Sequence, residues 1–208
     1  MPEKRFPIDS PEQIAGPITF GAFANPLLQE VFKTFGKRAF ARSSACMEFE
    51  AFLQRIGASG RTCLEIGTYH GITAIVLSQY FERVVCVSVD NDPKALMKRE
   101  IVAHLGLKNI EFHDVSDNEQ KAKIVNRLDF DFAYMDGDHT HDTHEDWALV
   151  QRCGRVLLHE YWPIQAPVWN LVNALPEEEV TRAVYDCFAY WERAPRGSLH
   201  PRHAGRTR

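Results

Sequence analysis

The sequence predicts an α/β fold built on a doubly wound, mostly parallel sheet of seven strands with an antiparallel hairpin at its C-terminal end. Three observations carry this. Thr62 to Gly67 is a short apolar run closed by glycine, as expected for a strand buried on both faces, and Ile72 to Phe81 then has the length and apolar spacing of a packed helix leading to the run Val84 to Asp90. The same alternation continues along the chain, with apolar runs at 109–114, 131–136 and 155–160. Two β-rich runs, Val180 to Tyr185 and Cys187 to Trp191, stand too close together for a helical crossover and must form a hairpin.

The remaining elements follow in order. Pro26 to Phe35 places Leu27, Leu28, Val31, Phe32 and Phe35 at helical spacing, and Ser44 to Ile56 reads as a second helix running into Gly57. Pro93 starts a helix reaching about Leu105. Asp142 and Glu145 read as a capping box opening a helix from Thr143 to Arg152, and Val168 to Leu175 is a further helix. Residues 1–60 form an N-terminal helical segment expected to cover a substrate, 61–192 a ligand-binding domain, and 193–208 a basic tail expected to be disordered. That tail has five arginines and no acidic residue.

In open α/β sheets a ligand sits at the carboxyl ends of the strands. Gly67 and Gly71 flank the loop after the first strand, where missing side chains let backbone approach a bound molecule, and Asp90 ends the second strand with a carboxylate able to accept both ribose hydroxyl protons. The loop between the glycines, Thr68-Tyr69-His70, matches neither the dinucleotide nor the ATP phosphate pattern. Glu65 at the mouth of the first strand would repel a pyrophosphate and attract a cation. S-adenosylmethionine (SAM) carries an ammonium and a sulfonium and no phosphate. The alternative for Glu65 is a buried acid satisfied by backbone amides.

The Glu65-x-Gly67-x-x-x-Gly71 set with Asp90 resembles motifs I and II of the class I SAM-dependent methyltransferases, whose sheet is Rossmann-like. The resemblance implies SAM as cofactor, bound by Glu65 at the methionine end, by Gly67, Thr68, Tyr69 and Gly71 in the loop, by Asp90 on the ribose, by Asp114 or Ser116 near the adenine, and by Asp136. Asp136-Gly137-Asp138-His139 after the fourth strand, with His159-Glu160 closing the fifth, resembles the O-methyltransferase branch that includes sugar and macrolide enzymes, and to a lesser degree the catechol type. It implies methylation of a small-molecule hydroxyl.

Transfer to oxygen needs the hydroxyl proton removed and the oxygen aimed in line, which leaves two routes. His139 is the base in one, with Asp136 beside it. In the other, Asp136, Glu160 and His159 hold Mg²⁺ or Mn²⁺, although Tyr161 stands where the catechol type has an amide ligand. Different classes stay open beside these: a metal-dependent hydrolase using the Asp/His cluster, or a cofactor-binding protein without catalysis.

Composition narrows the partners. A chain of 208 residues with 45% hydrophobic residues and net charge −4 has a core and no basic face, so neither nucleic acid nor membrane is expected as a partner, and a small-molecule acceptor is. A homo-oligomer stays open. Five scattered cysteines without a Cys-x-x-Cys pair suit a reducing compartment, and with no signal-peptide pattern the expected location is cytoplasmic.

Overall fold

The computed structural model describes residues 24–40, 47–89, 96–138, 141–183 and 187–194. Its strands are β1 (Gly60–Ile66), β2 (Phe81–Val89), β3 (Ile110–Val115), β4 (Phe132–Met135), β5 (Arg155–Leu158), β6 (Val180–Arg182) and β7 (Ala189–Glu192). They form one sheet in the order β3-β2-β1-β4-β5-β7-β6. The first five are parallel, while β7 runs antiparallel to both β5 and β6. The order reverses between β1 and β4, so the crevice of a doubly wound sheet opens there.

The helices are α1 (Pro26–Phe35), α2 (Met47–Arg55), α3 (Ile72–Leu77), α4 (Leu96–His104), α5 (Asn118–Val125), α6 (Thr143–Val150) and α7 (Ala166–Ala174). Alternation along each strand sends successive side chains to opposite faces. Cys63, Val84, Cys86, Phe132, Tyr134 and Leu157 pack on α1 to α4. Leu64, Ile66, Val85, Val87, Ala133, Met135, Val156 and Leu158 pack on α5 to α7. Glu65 falls on the first of these faces by the same alternation. Strands covered on both sides need apolar residues at every position, which is why they read as continuous apolar runs.

Differences from the sequence reading have local causes. The helix expected to reach Phe81 stops at Leu77, because residues 78–80 tighten into turns and Phe81 is taken by β2 in register with Gly60. The Asp142–Glu145 capping box does not form: Asp142 makes no side-chain cap bond, and its Oδ2 accepts from Asn118 Nδ2 at 2.7 Å. α5 is additional to the expected elements. Asp117 caps it, accepting from Gln120 N at 2.8 Å.

From the N-terminal segment, Leu28, Val31 and Phe40 are buried in the same cluster as the sheet residues, so these side chains form core. The rest of that segment, 1–23 and 41–46, and the tail from 195 lie outside the described residues. Four described cysteines are free thiols. No described helix is long and apolar enough to cross a membrane.

Phe188, fully buried just before β7, joins α2 to the sheet. Its ring lies 5.3 Å from Phe49 and 6.0 Å from Phe52. Phe188→Ala is expected to cost about 3–5 kcal/mol in urea unfolding, the cost of an aromatic-sized cavity; a loss below 1 kcal/mol would show that this contact does not hold α2.

Candidate functional site

Loops from β1, β4 and β5 meet at the crevice, and their backbones are tightly constrained. Gly67, with φ of +83°, has its N–H on Val87 O, and a Cβ at this position would lie 2.0 Å from the Asp136 carbonyl oxygen. The β1 loop therefore crosses the exit of β4 in direct backbone contact. Thr68 N–H donates to Ser88 Oγ at 2.9 Å, tying the loop to β2. Gly71 has φ of +77°, and a Cβ there would meet Lys98 Cβ at 3.1 Å and Phe112 at 3.4 Å. Both glycines thus fit the chain against itself, a reason different from the approach to a ligand read from the sequence. Among the described non-glycine residues, positive φ is found at Tyr69 (+44°) and Glu160 (+57°), on the loops after β1 and β5. Such backbone is costly and gathers at functional loops.

Glu65 is fully buried. Thr73 donates its hydroxyl to Oε1, while Oε2 is buried with no hydrogen-bond partner. Burial pushes the carboxyl up to about 7, against the pull of the Thr73 bond and of the neighbouring Cys86 and Thr68 side chains, and the nearby Asp136 carboxylate adds to the rise. An orphaned carboxylate oxygen beside the crevice is what a cationic ligand group would satisfy.

Asp136 and His159 are joined at 2.7 Å between Oδ1 and Nδ1, with side chains only 17% and 14% exposed. Tyr134 donates its hydroxyl to Asp136 Oδ2 at 3.0 Å. Burial alone would depress His159, but the Asp136 carboxylate, with a hydrogen bond to Cys187, holds its pKa well above the usual imidazole value. The pair bridges β4 to β5, and the carboxylate beside it favours the protonated ring.

The metal site expected at Asp136, His159 and Glu160 finds no support in this geometry, because Asp136 and His159 bond each other. The Asp136 oxygens accept from Tyr134 and pair with His159. Among the described residues no three His, Cys, Asp or Glu side chains gather as metal ligands. Tyr161 turns away as well, stacked on Trp169 at 4.7 Å and hydrogen-bonded to Asn173 and Arg182.

Other expected residues divide. Asp114 is held by Lys98 and by Arg99 at 2.8 Å, and these cations outweigh its burial and lower its pKa. Ser116 is exposed, donating to Asp117 and accepting from Gln120, so it belongs to the cap of α5. His141 is 85% exposed. Asp90 and His139 lie outside the described residues. Three contributors went unread in the sequence. His70 is buried with Nδ1 3.2 Å from Ala39 O, linking the β1 loop to the N-terminal segment. Lys98 and Lys121 are buried cations, and single lysines on helices carry no sequence signal of burial.

Residues 64–161 match the model of a family described as a methyltransferase domain. No curated protein sequence matches the chain. Among solved structures, a putative O-methyltransferase from Klebsiella pneumoniae superimposes with TM-score 0.64 at 18% identity, covering 88% of this chain and 95% of that one. An O-methyltransferase from Bacillus cereus in complex with SAH gives TM-score 0.63 at 17% identity, over 82% and 91%. TomG, an O-methyltransferase from Streptomyces achromogenes in complex with SAM, gives 0.61 at 16%, over 83% and 92%. At these identities the likeness establishes the fold.

Glu65 and His159 both contribute to a pH dependence, to which the raised, buried Asp146 adds at the acid end. Between about 4.5 and 7 the native Glu65 binds more protons than the unfolded chain, so stability falls as pH rises, by roughly 3 kcal/mol across that window. His159 has the same sign, but its contribution is complete below about 6.5 and is lost at higher pH as the folded pKa is passed. Urea unfolding of Glu65→Gln is expected to lose the slope between pH 4.5 and 7 and to keep the decline above it. An unchanged slope would mean that Glu65 ionises normally.

Proposed function

We propose, starting from the class I SAM-dependent methyltransferase domain that this chain carries, that the protein methylates an oxygen of a small-molecule acceptor. The observation that carries the cofactor reading is the buried, unsatisfied Oε2 of Glu65 at the end of β1, beside the point where strand order reverses. A carboxyl balanced near neutrality ionises readily when an ammonium arrives, so Glu65 holds the amino-acid end of the donor. Asp90, one residue beyond β2, takes the ribose hydroxyls in this reading, and the segment from Asp114 to Asp117 borders the adenine. Asp114 contributes there through the Lys98 and Arg99 bridges that fix the end of β3. When bound, the donor supplies an electrophilic methyl carbon on a sulfonium that leaves as a neutral thioether.

The chain's own part is to position the acceptor and remove its proton. Asp136 acts from the end of β4 by holding His159, so the two form a fixed dipolar wall. His139, three residues beyond Asp136, receives the hydroxyl proton as the oxygen–carbon bond forms and the carbon–sulfur bond breaks. The base route is preferred here to a metal route because Asp136 and His159 pair with each other across β4 and β5. Residues before β1 cover the acceptor in this reading.

Calorimetry is expected to give binding of S-adenosylhomocysteine (SAH) and none of NAD or ATP, since the β1 loop lacks a phosphate cradle; NAD binding in place of SAH would overturn the cofactor assignment. SAH release, followed over a panel of small phenols, catechols and sugars, tests the chemistry. With the accepted substrate, His139→Ala is expected to slow turnover by roughly a hundredfold while SAH affinity stays the same. Full turnover in that variant would remove the base from His139.

A further inference from the structure

Between α5 and α6 lies a buried charge network that no step above uses. Lys121 Nζ stands 2.6 Å from Asp146 Oδ1, with side chains 4% and 1% exposed, and 3.7 Å from Asp142 Oδ2. The second Asp142 contact comes from Asn118 Nδ2 at 2.7 Å. On its other side the Asp146 carboxylate fills the space where a side chain at Gly137 would stand. A Cβ on Gly137 would lie 2.7 Å from Asp146 Oδ2 and 3.2 Å from Ile66 Cγ2. Gly137 directly follows Asp136.

Helix packing alone does not call for this pair. Val125, Trp147 and Val150, with Ile124 packed against them, already bury both helices in one apolar cluster under the sheet. A buried ion pair costs desolvation that apolar residues of similar volume avoid, so its presence points to a demand for fixed geometry. The geometry fixed is specific. α5 starts from the Asp117 cap just after β3, and through Lys121 and Asn118 it grips both ends of the segment that follows β4, Gly137 by way of Asp146 and the α6 entry by way of Asp142.

We propose that Lys121 is a positioning residue, which through Asp146 and Asp142 clamps both ends of the segment after β4 to the helix after β3 and so sets the spacing between the segment from Asp114 to Asp117, read above as bordering the adenine, and the start of the β4 loop at Asp136. The proposal rests on the cofactor reading above for its ligand, but the clamp itself is a property of the chain. It predicts that affinity depends on the charge pair separately from stability.

The test compares Lys121→Met with the double variant Lys121→Met/Asp146→Leu, reading thermal midpoint, SAH affinity by calorimetry, and amide exchange at Gly137 and Asp138. The single variant leaves a buried acid unpaired and is expected to lower the midpoint. The double variant is expected to recover the midpoint yet bind SAH about tenfold more weakly and exchange faster at both amides. A double variant with wild-type midpoint, affinity and exchange would overturn the proposal, leaving the pair as packing only. Asn118→Ala, which removes no charge, runs in parallel in case the double variant does not fold: weaker SAH binding with faster exchange at Asp138 and Asp142 supports the clamp, and no change in either overturns it. If the wild-type protein binds no SAH, the cofactor reading falls, and amide exchange alone decides the clamp.

Discussion

The ion pair between Asp136 and His159 is the constraint on which the crevice depends. It joins the ends of β4 and β5 where the main-chain ladder stops, and removing either partner strands a charge in a nearly dry environment. Tyr134 fixes the acid from inside the sheet. The imidazole is packed 5.1 Å from Phe188, so the charge pair, the aromatic cluster and the N-terminal helices form one connected unit. A pair satisfied in this way is a wall of the site more than a reagent in it.

Around that wall the backbone does much of the positioning. Gly67 lets the β1 loop cross the β4 exit, which brings Glu65 and Asp136 close enough for each carboxyl to feel the other. His70 carries the same loop to Ala39, so the donor side of the crevice and the segment before β1 share a contact. Burial, more than any neighbouring charge, tunes Glu65 toward neutrality. An acid in that state is cheap to keep buried and ready to ionise when a cation approaches.

The fold was largely legible in the sequence because buried parallel strands announce themselves as apolar runs, and the short gap between β6 and β7 admits only a hairpin. Element ends were less legible. Ser78 to Tyr80 carry no glycine or proline to mark the stop of α3, and α5 was hidden by its polar sequence, Asn118–Val125, although Asp117 and Gln120 stood at capping distance. The site was legible by position and less so by role. Glu65 and Asp136 fall where the strand ends require, while the pairing of Asp136 with His159, 23 residues apart, leaves no mark in the sequence. The cations on Asp114 and the helix-cap partners of Ser116 were not legible, because they become neighbours only after folding.

The protonation state of His159 tests this account most directly. Ring ¹⁵N shifts recorded across pH in the intact protein, with and without Mn²⁺, are expected to show both nitrogens protonated at pH 7, with the change to a neutral ring delayed well above the usual imidazole range and no specific paramagnetic broadening by the metal. A neutral His159 at pH 7, or selective broadening of its signals by Mn²⁺, would contradict the ion pair and return Asp136, His159 and Glu160 to the role of metal ligands.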